Sequence, residues 1–388
     1  MDKQISKKKM RISIGCDHAG FDVVEKIIEF LSNNGYDVQH EGCYSLESVD
    51  YPEFGHKVGK EVASGKVDRG IVVCGSGIGI SIAANKIKNI IEIGSNDGTF
   101  LKNFNPKDYN TLGFEPSGNV AKRASMDGTN TINEFFNKNS ATNQKHFAKN
   151  TDLICAANVI CHIPDLKDLI QSVDLMLNKN GLFVFEEPYL GSMFEKISYD
   201  QIYDEHIFIF SVTSVSKIFK LFDMELVDVL SQTTHGGSIR YIIARKNNHK
   251  ISNNVNMLLE KEKLRNLDNI SSCKEFKDRC ELSKIKTRET LLKFKNNNYK
   301  IAGYAATSKS TTILNYCNIN NKVIDYICDT TPEKIGKFSP GTHIPIVDMS
   351  HFKKFIPDVA YLFAWNHKDE IFKKEKNYKG KWFSHVAL

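Results

Sequence analysis

The chain has 388 residues, 41% hydrophobic and 25% charged, enough for two or three globular domains. Its net charge of +6 comes from scattered lysines, and the one dense basic run, Lys7-Lys8-Lys9, carries no interleaved aromatics. That pattern reads as a solvated tail and argues against a nucleic-acid partner. Nine cysteines without CxxC spacing indicate neither a disulfide framework nor a zinc ribbon, so no metal site is expected and a cytoplasmic location fits. The start is polar with no apolar signal segment, and residues 70–84 are too short and glycine-rich to span a membrane.

Strands are expected over residues 11–15, 37–41 and 70–74, each bounded by Gly, Asp or Asn. Between the first two, residues 21–33 place apolar side chains at 21, 23, 24, 27, 28, 30 and 31, a helical face. This βαβ order favours a parallel sheet covered by helices. A helix-like run over 78–88 leads directly into a second series, with strands over 90–94, 111–115, 152–156 and 181–186. Residues 247–298 are highly charged and mostly helical. A third series places strands over 300–304, 323–328, 359–364 and 382–386. The expected class is α/β, with Rossmann-like parallel sheets throughout. The expected division is 1–89, 90–246, 247–298 and 299–388.

The second series opens on Ile90-Ile91-Glu92-Ile93-Gly94-Ser95-Asn96-Asp97-Gly98-Thr99, a strand running into a glycine-bearing turn. Gly94 and Gly98 let the loop approach a ligand closely. Glu115, at the tip of the next strand, can accept hydrogen bonds from both hydroxyls of a ribose, and Asn158 ends the strand after that. The glycine spacing is not GxGxxG. It suits a cofactor that presents an amino acid and a nucleoside, with Glu92, Gly94, Ser95, Asn96, Asp97, Gly98, Glu115 and Asn158 as its binding residues.

Residues from about 90 to 388 resemble the sugar C-methyltransferases, which act on deoxysugars carried on a nucleoside diphosphate. Besides the glycine stretch, the resemblance rests on Phe183-Val184-Phe185-Glu186-Glu187-Pro188-Tyr189, Ile202-Tyr203-Asp204-Glu205-His206 and Thr234-His235-Gly236-Gly237-Ser238-Ile239-Arg240. It continues in Gly303-Tyr304-Ala305-Ala306-Thr307-Ser308-Lys309, Asn315-Tyr316, Pro340-Gly341-Thr342-His343-Ile344-Pro345 and Ala364-Trp365-Asn366. It implies S-adenosylmethionine as cofactor and a class I methyltransferase domain. To methylate carbon, the C–H beside a keto-sugar carbonyl must be lost to a base of near-neutral pKa. The resemblance implies His206 as that base, with Tyr203 and Glu205 orienting it or the sugar. It places His235, Gly236 and Arg240 near the substrate, though His235-Gly236-Gly237 also reads as a simple tight turn. The turn ending in Lys309 could hold the diphosphate, with Asn315 further along, or could merely connect a strand to a helix. In this family a cysteine-rich zinc module ordinarily precedes the glycine motif; here another pattern stands there.

That pattern is Gly15-Cys16-Asp17-His18-Ala19-Gly20, Val49-Asp50-Tyr51-Pro52 and Val73-Cys74-Gly75-Ser76-Gly77-Ile78-Gly79. Residues 11 to about 90 resemble the first half of the ribose-5-phosphate isomerase B family, which includes the galactose-6-phosphate isomerases. Cys74 can act as a thiolate base between adjacent sugar carbons, with backbone amides around Ser76, Gly77 and Gly79 facing the enediolate. Asp17 and His18 would assist ring opening. The expected partners are small molecules, a nucleotide sugar and a pentose phosphate, and a homodimer is compatible with the pattern. The rival to both activities is a fusion that binds ligands or partners without turnover.

Overall fold

The computed structural model describes residues 9–63, 66–75, 80–81, 89–105 and 109–388. They fall into two compact units, Met1–Asn133 with Asn150–Leu153, and Glu134–Lys149 with Ile154–Leu388.

In the first unit β1 (Arg11–Cys16), β2 (Asp37–His40) and β3 (Arg69–Val73) form a parallel sheet in the order β2-β1-β3. The helix Phe21–Asn33 has the bounds its apolar face predicts and packs Val24, Ile27 and Ile28 against Ile14 and Cys16. A helix the periodicity did not single out, Tyr51–Ala63, makes the crossover from β2 to β3. Its Val58 lies so close to Gly15 that a Cβ there would come within 2.8 Å of it. The expected helix over 78–88 falls mostly outside the described residues.

The next strand, β4 (Asn89–Ile93), does not extend that sheet. It pairs in parallel with β5 (Asn110–Phe114), and β5 pairs with β6 (Thr131–Ile132). Every residue of β4 is buried, as a central parallel strand covered on both faces requires. Asn89 holds its start, donating from N to Asp152 Oδ2 at 2.9 Å and from Nδ2 to the Asn150 carbonyl at 2.8 Å.

The strand β7 (Thr151–Ala157) runs from the first unit into the second, where the order continues β7-β8-β10-β9 through β8 (Leu177–Pro188), β9 (Met224–Gln232) and β10 (Ser238–Arg245). Here the expectation of parallel sheets throughout is corrected, because β10 is antiparallel to both β8 and β9. Only residues 233–237 join β9 to β10, and a parallel crossover needs about a dozen residues or more.

After the helices Asn253–Leu264 and Ile270–Asn296 comes a five-stranded parallel sheet, in the order β13-β12-β11-β14-β15. Its strands are β11 (Ile301–Tyr304), β12 (Tyr326–Asp329), β13 (Ile346–Asp348), β14 (Val359–Leu362) and β15 (Lys381–Phe383). Successive residues alternate between two cores. Ile301, Val359 and Tyr361 enter one, while Ala302, Tyr304, Ala360 and Leu362 enter the other. The strand order reverses between β11 and β14, the position at which doubly wound sheets open a ligand crevice beyond their carboxyl ends. Among the described residues no helix is long and apolar enough to cross a membrane.

Candidate functional site

The loop after β4 turns on three residues of positive φ, Gly94 (67°), Asn96 (52°) and Gly98 (77°). A Cβ on Gly98 would meet Thr129 Oγ1 at 2.4 Å, so only glycine fits there. Glu115, just past β5, ties the loop to its own turn. Its Oε2 accepts from the Asn96 N–H at 3.0 Å and its Oε1 from the Ser117 N–H at 2.8 Å. Each oxygen keeps lone-pair capacity for a further donor. Asp97 caps the loop by accepting from the Thr99 hydroxyl and N–H, which hold its carboxyl below the usual range. Burial, with the charges of Asp97 and Glu115, pushes the Glu92 carboxyl up to about 8. Glu92 Oε2, Ser95 Oγ and Thr129 Oγ1 are buried without partners. A carboxylate with spare lone pairs beside unpartnered buried donors fits a ligand carrying ribose hydroxyls and an amino-acid end. In the second unit Asn158, at φ 55°, donates its N–H to the Glu186 carbonyl and leaves a buried Oδ1 without a partner.

His206 lies in the second unit, in the loop before the helix Val212–Lys220. Its Nδ1 is 2.8 Å from the Gln201 carbonyl, which can only accept, so Nδ1 carries the proton. Nε2 therefore presents its lone pair, and the Tyr203 hydroxyl donates to it at 2.9 Å. Burial lowers the His206 pKa against the opposing hydrogen bond to the Gln201 carbonyl, and the charges of His162 and Lys309 add to the lowering. The Glu205 side chain is exposed; it is the Glu205 carbonyl that accepts from His162 Nδ1, at 2.6 Å. The ring of His162 sits 5.1 Å from that of His206. The turn bearing His162 is held by Glu187, fully buried at the end of β8, whose Oε1 accepts from the N–H groups of Val159, Ile160 and Cys161. Cys161, His162 and His206 place donor atoms within 4.8 Å of one another. Burial beside Glu187 raises the Cys161 thiol pKa and opposes the thiolate that a soft metal ion would need.

Lys309 opens the helix Ser308–Tyr316 and is 8% exposed. Its Nζ reaches Asn366 Oδ1 at 3.5 Å and lies 5.2 Å from the centre of the Trp365 ring. His235, at φ 51°, is pushed down to about 4 by burial and by the charges of Lys309, His206 and His367. The neighbouring Gly236 faces the same Trp365 ring. Arg240 is paired with Glu186 at 2.9 Å, an oxygen of which also accepts from the Thr234 hydroxyl. Asn315 is exposed and holds the turn at Pro340, donating to its carbonyl at 3.1 Å. Sequence reasoning missed His162, Glu187 as an anchor, and Asp200. For Glu187 a signal existed, a glutamate pair directly after the apolar run Leu182–Phe185.

In the first unit Asp17 is buried just past β1 and accepts from the Gly20 N–H at 3.0 Å. His18 Nδ1 accepts from the Val49 N–H at 3.2 Å, which leaves the ring proton on Nε2. Cys16 is kept inert, its thiol pushed up to about 12 by burial and by Cys43 beside it. Cys74 is half-buried after β3, while Ser76, Gly77 and Gly79 lie outside the described residues.

A glycine loop with a second-strand acid, followed by a half-buried imidazole, fits a methyltransferase. A family model described as a methyltransferase domain matches residues 75–229, and one described as a C-methyltransferase C-terminal domain matches residues 233–386. A C-methyltransferase of Streptomyces niveus, NovU, is 30% identical over 290 residues, 74% of this chain and 69% of that protein. The chain belongs to the C-methyltransferase family and is an S-adenosylmethionine-dependent methyltransferase. Ahead of this part, a ribose/galactose isomerase model matches residues 12–97. Ribose-5-phosphate isomerase B of Escherichia coli is 46% identical over 80 residues, 21% of this chain and 54% of that protein. Galactose-6-phosphate isomerase subunit LacB of Clostridium acetobutylicum is 47% identical over 81 residues, 21% of this chain and 47% of that protein. The chain thus spans about half the length of the isomerases it matches.

Proposed function

We propose that the chain methylates a carbon beside the carbonyl of a nucleoside-diphosphate-linked keto-deoxysugar. The observation that carries this is His206, a half-buried imidazole of lowered pKa whose Nδ1 proton is fixed on the Gln201 carbonyl and whose Nε2 lone pair is offered to a proton. An oxygen or nitrogen acceptor carries its own lone pair, whereas a C–H acceptor must first lose its proton to such a base. Nε2 takes that proton, with the sugar replacing the Tyr203 hydroxyl at the lone pair. The C–H electron pair passes into an enolate. S-adenosylmethionine, when bound, would supply an electrophilic methyl group on sulfur as the partner of that enolate carbon. Glu92, Ser95, Asn96 and Glu115 would hold the cofactor.

The test incubates the purified chain with S-adenosylmethionine and a set of such keto-deoxysugars and reads product mass. Wild type adds one methyl group, and His206→Gln lowers kcat by about 10²–10⁴ while keeping cofactor affinity. A His206→Gln enzyme as fast as wild type would sink the reading.

A second reading is aldose–ketose isomerisation of a pentose phosphate by the first unit. It rests on Asp17 and the fixed tautomer of His18 beside the end of β1. Ribose 5-phosphate turnover that is absent, or unchanged in Cys74→Ser, removes it.

A further inference from the structure

Asp200 is a fully buried carboxylate in the turn Tyr199–Gln201, which runs into the loop bearing His206. Burying a carboxylate is costly, and an apolar side chain would fill the same space without that cost. The charge is met from two sides. Trp365 Nε1–H, just past β14, donates to Oδ2 at 2.7 Å. His385, just past β15, brings Nε2 to 3.2 Å from Oδ1, an ion-pair distance off the line of a hydrogen bond. The His385 side chain is itself fully buried. Its Nδ1 lies 3.2 Å from the Tyr361 hydroxyl of β14, and its ring 5.0 Å from that of Tyr199. The carboxyl ends of two adjacent strands thus grip one carboxylate.

That carboxylate fixes the backbone beside it. Gln201, the next residue, offers its carbonyl to His206 Nδ1 at 2.8 Å, the contact that puts the ring proton on Nδ1 and the lone pair on Nε2. The peptide between is tied down at each step. The Gln201 N–H donates to the Ser198 carbonyl at 3.2 Å, and the Ile202 N–H to the Tyr199 carbonyl at 3.0 Å. The Gln201 side chain donates to Ser198 Oγ at 2.8 Å, and the His206 N–H to the Tyr203 carbonyl at 2.9 Å. Every link from Asp200 to the imidazole is therefore a covalent bond or a hydrogen bond. A shift of Asp200 carries the Gln201 carbonyl with it. An imidazole that loses this acceptor can exchange tautomers, and Nε2 then bears a proton where it should take one.

We propose that Asp200 is a positioning residue for the base. Held between Trp365 and His385, its carboxylate sets the Gln201 carbonyl, and through it the orientation and tautomer of His206. The strands β14 and β15 thereby act on the reaction without touching the reacting atoms. This assignment rests on the proposed keto-sugar reading, in which His206 removes the α-proton.

The experiment compares the full-length wild type, Asp200→Asn and His206→Gln, with circular dichroism melts to establish that each is folded. Nitrogen-15 NMR of histidine-labelled protein, at a pH above the ring's titration, reads the His206 tautomer, its signals being those that His206→Gln removes. Deuterium uptake at the α-carbon is followed in D2O without cofactor, using thymidine- and uridine-diphosphate-linked keto-6-deoxysugars. Wild type shows His206 protonated at Nδ1 alone. In Asp200→Asn the His206 signals move toward a mixture of tautomers, and exchange at saturating sugar slows about tenfold or more. The sugar concentration giving half-maximal rate stays within about twofold of wild type. A merely structural carboxylate would lower the melting temperature and leave the tautomer of the folded protein unchanged. Either readout unchanged in a folded Asp200→Asn overturns the assignment. Where Asp200→Asn melts below the assay temperature, His385→Gln takes its place with the same expectations, because it keeps the carboxylate and removes the group facing Oδ1. Failure of the underlying reading looks different: wild type itself takes up no deuterium, or His206→Gln exchanges as wild type does.

Discussion

The Trp365 Nε1–H donates to Asp200 Oδ2 across 2.7 Å, and both side chains are buried. The two residues are far apart in the chain, and the bond fixes the Trp365 ring on which Lys309 and Gly236 both rest. Burial pushes the Asp200 carboxyl up, but His385, Lys309 and Trp365 together outweigh it and hold it below the usual range. Trp365→Phe keeps a six-membered ring and removes the N–H donor together with the pyrrole part of the indole. Urea unfolding is expected to show a loss of about 1–3 kcal/mol, because a buried charged acceptor is left unsatisfied.

Gly236 has φ 82°, and a Cβ on it would come within 1.9 Å of the Trp365 ring. Gly236→Ala must therefore displace the loop that carries His235. The strain is on the order of 1–3 kcal/mol, read as a lowered melting temperature. Methyl transfer should fall more than tenfold while cofactor affinity, measured by calorimetry, stays unchanged. Wild-type kinetics in this variant would show that the loop has no part in the chemistry.

Glu115 bridges the Asn96 and Ser117 N–H groups across the glycine loop proposed to hold the cofactor. Glu115→Ala removes both charge-assisted bonds, each worth roughly 1.5–3 kcal/mol. Titration of S-adenosylmethionine should show affinity reduced at least tenfold, with the α-proton exchange at His206 retained. Undiminished affinity would exclude the loop as the cofactor site.

Glu92 makes stability depend on pH in a direction opposite to most carboxylates. Its folded-state pKa of about 8 lies well above the usual carboxylate range, so the folded chain binds the extra proton. That contribution is full below about pH 4.5, declines as pH rises, and is gone above about pH 8. Glu92→Gln should remove this slope and make the cofactor-free chain more stable than wild type at pH 9. Equal slopes in the two melting series would show that Glu92 ionises normally.

Much of this was legible in residue order. The helix Phe21–Asn33 shows its apolar face, and the buried stripe of β4 leads into glycines at positions where φ is positive. Strand, turn and helix are local matters, set by backbone sterics and by which residues tolerate unusual dihedrals. The same holds for Tyr203 and His206, three residues apart and in direct contact. Less local features were not legible. The antiparallel β10 is decided by a connection too short to cross over, and the helix Tyr51–Ala63 carries its apolar residues among polar ones.

The sequence by itself determined the glycine turn after β4, the contact of Tyr203 with His206 and the resemblance of each half to a known family, because those rest on short runs of residues that act together. Tertiary structure alone decided which sheet β4 joins, that Glu187 rather than a neighbour anchors the His162 turn, and that Lys309 is buried. The reason is physical. Burial and pairing depend on which distant strands come side by side, and a lysine at the start of a helix reads the same whether water or a closed site surrounds it.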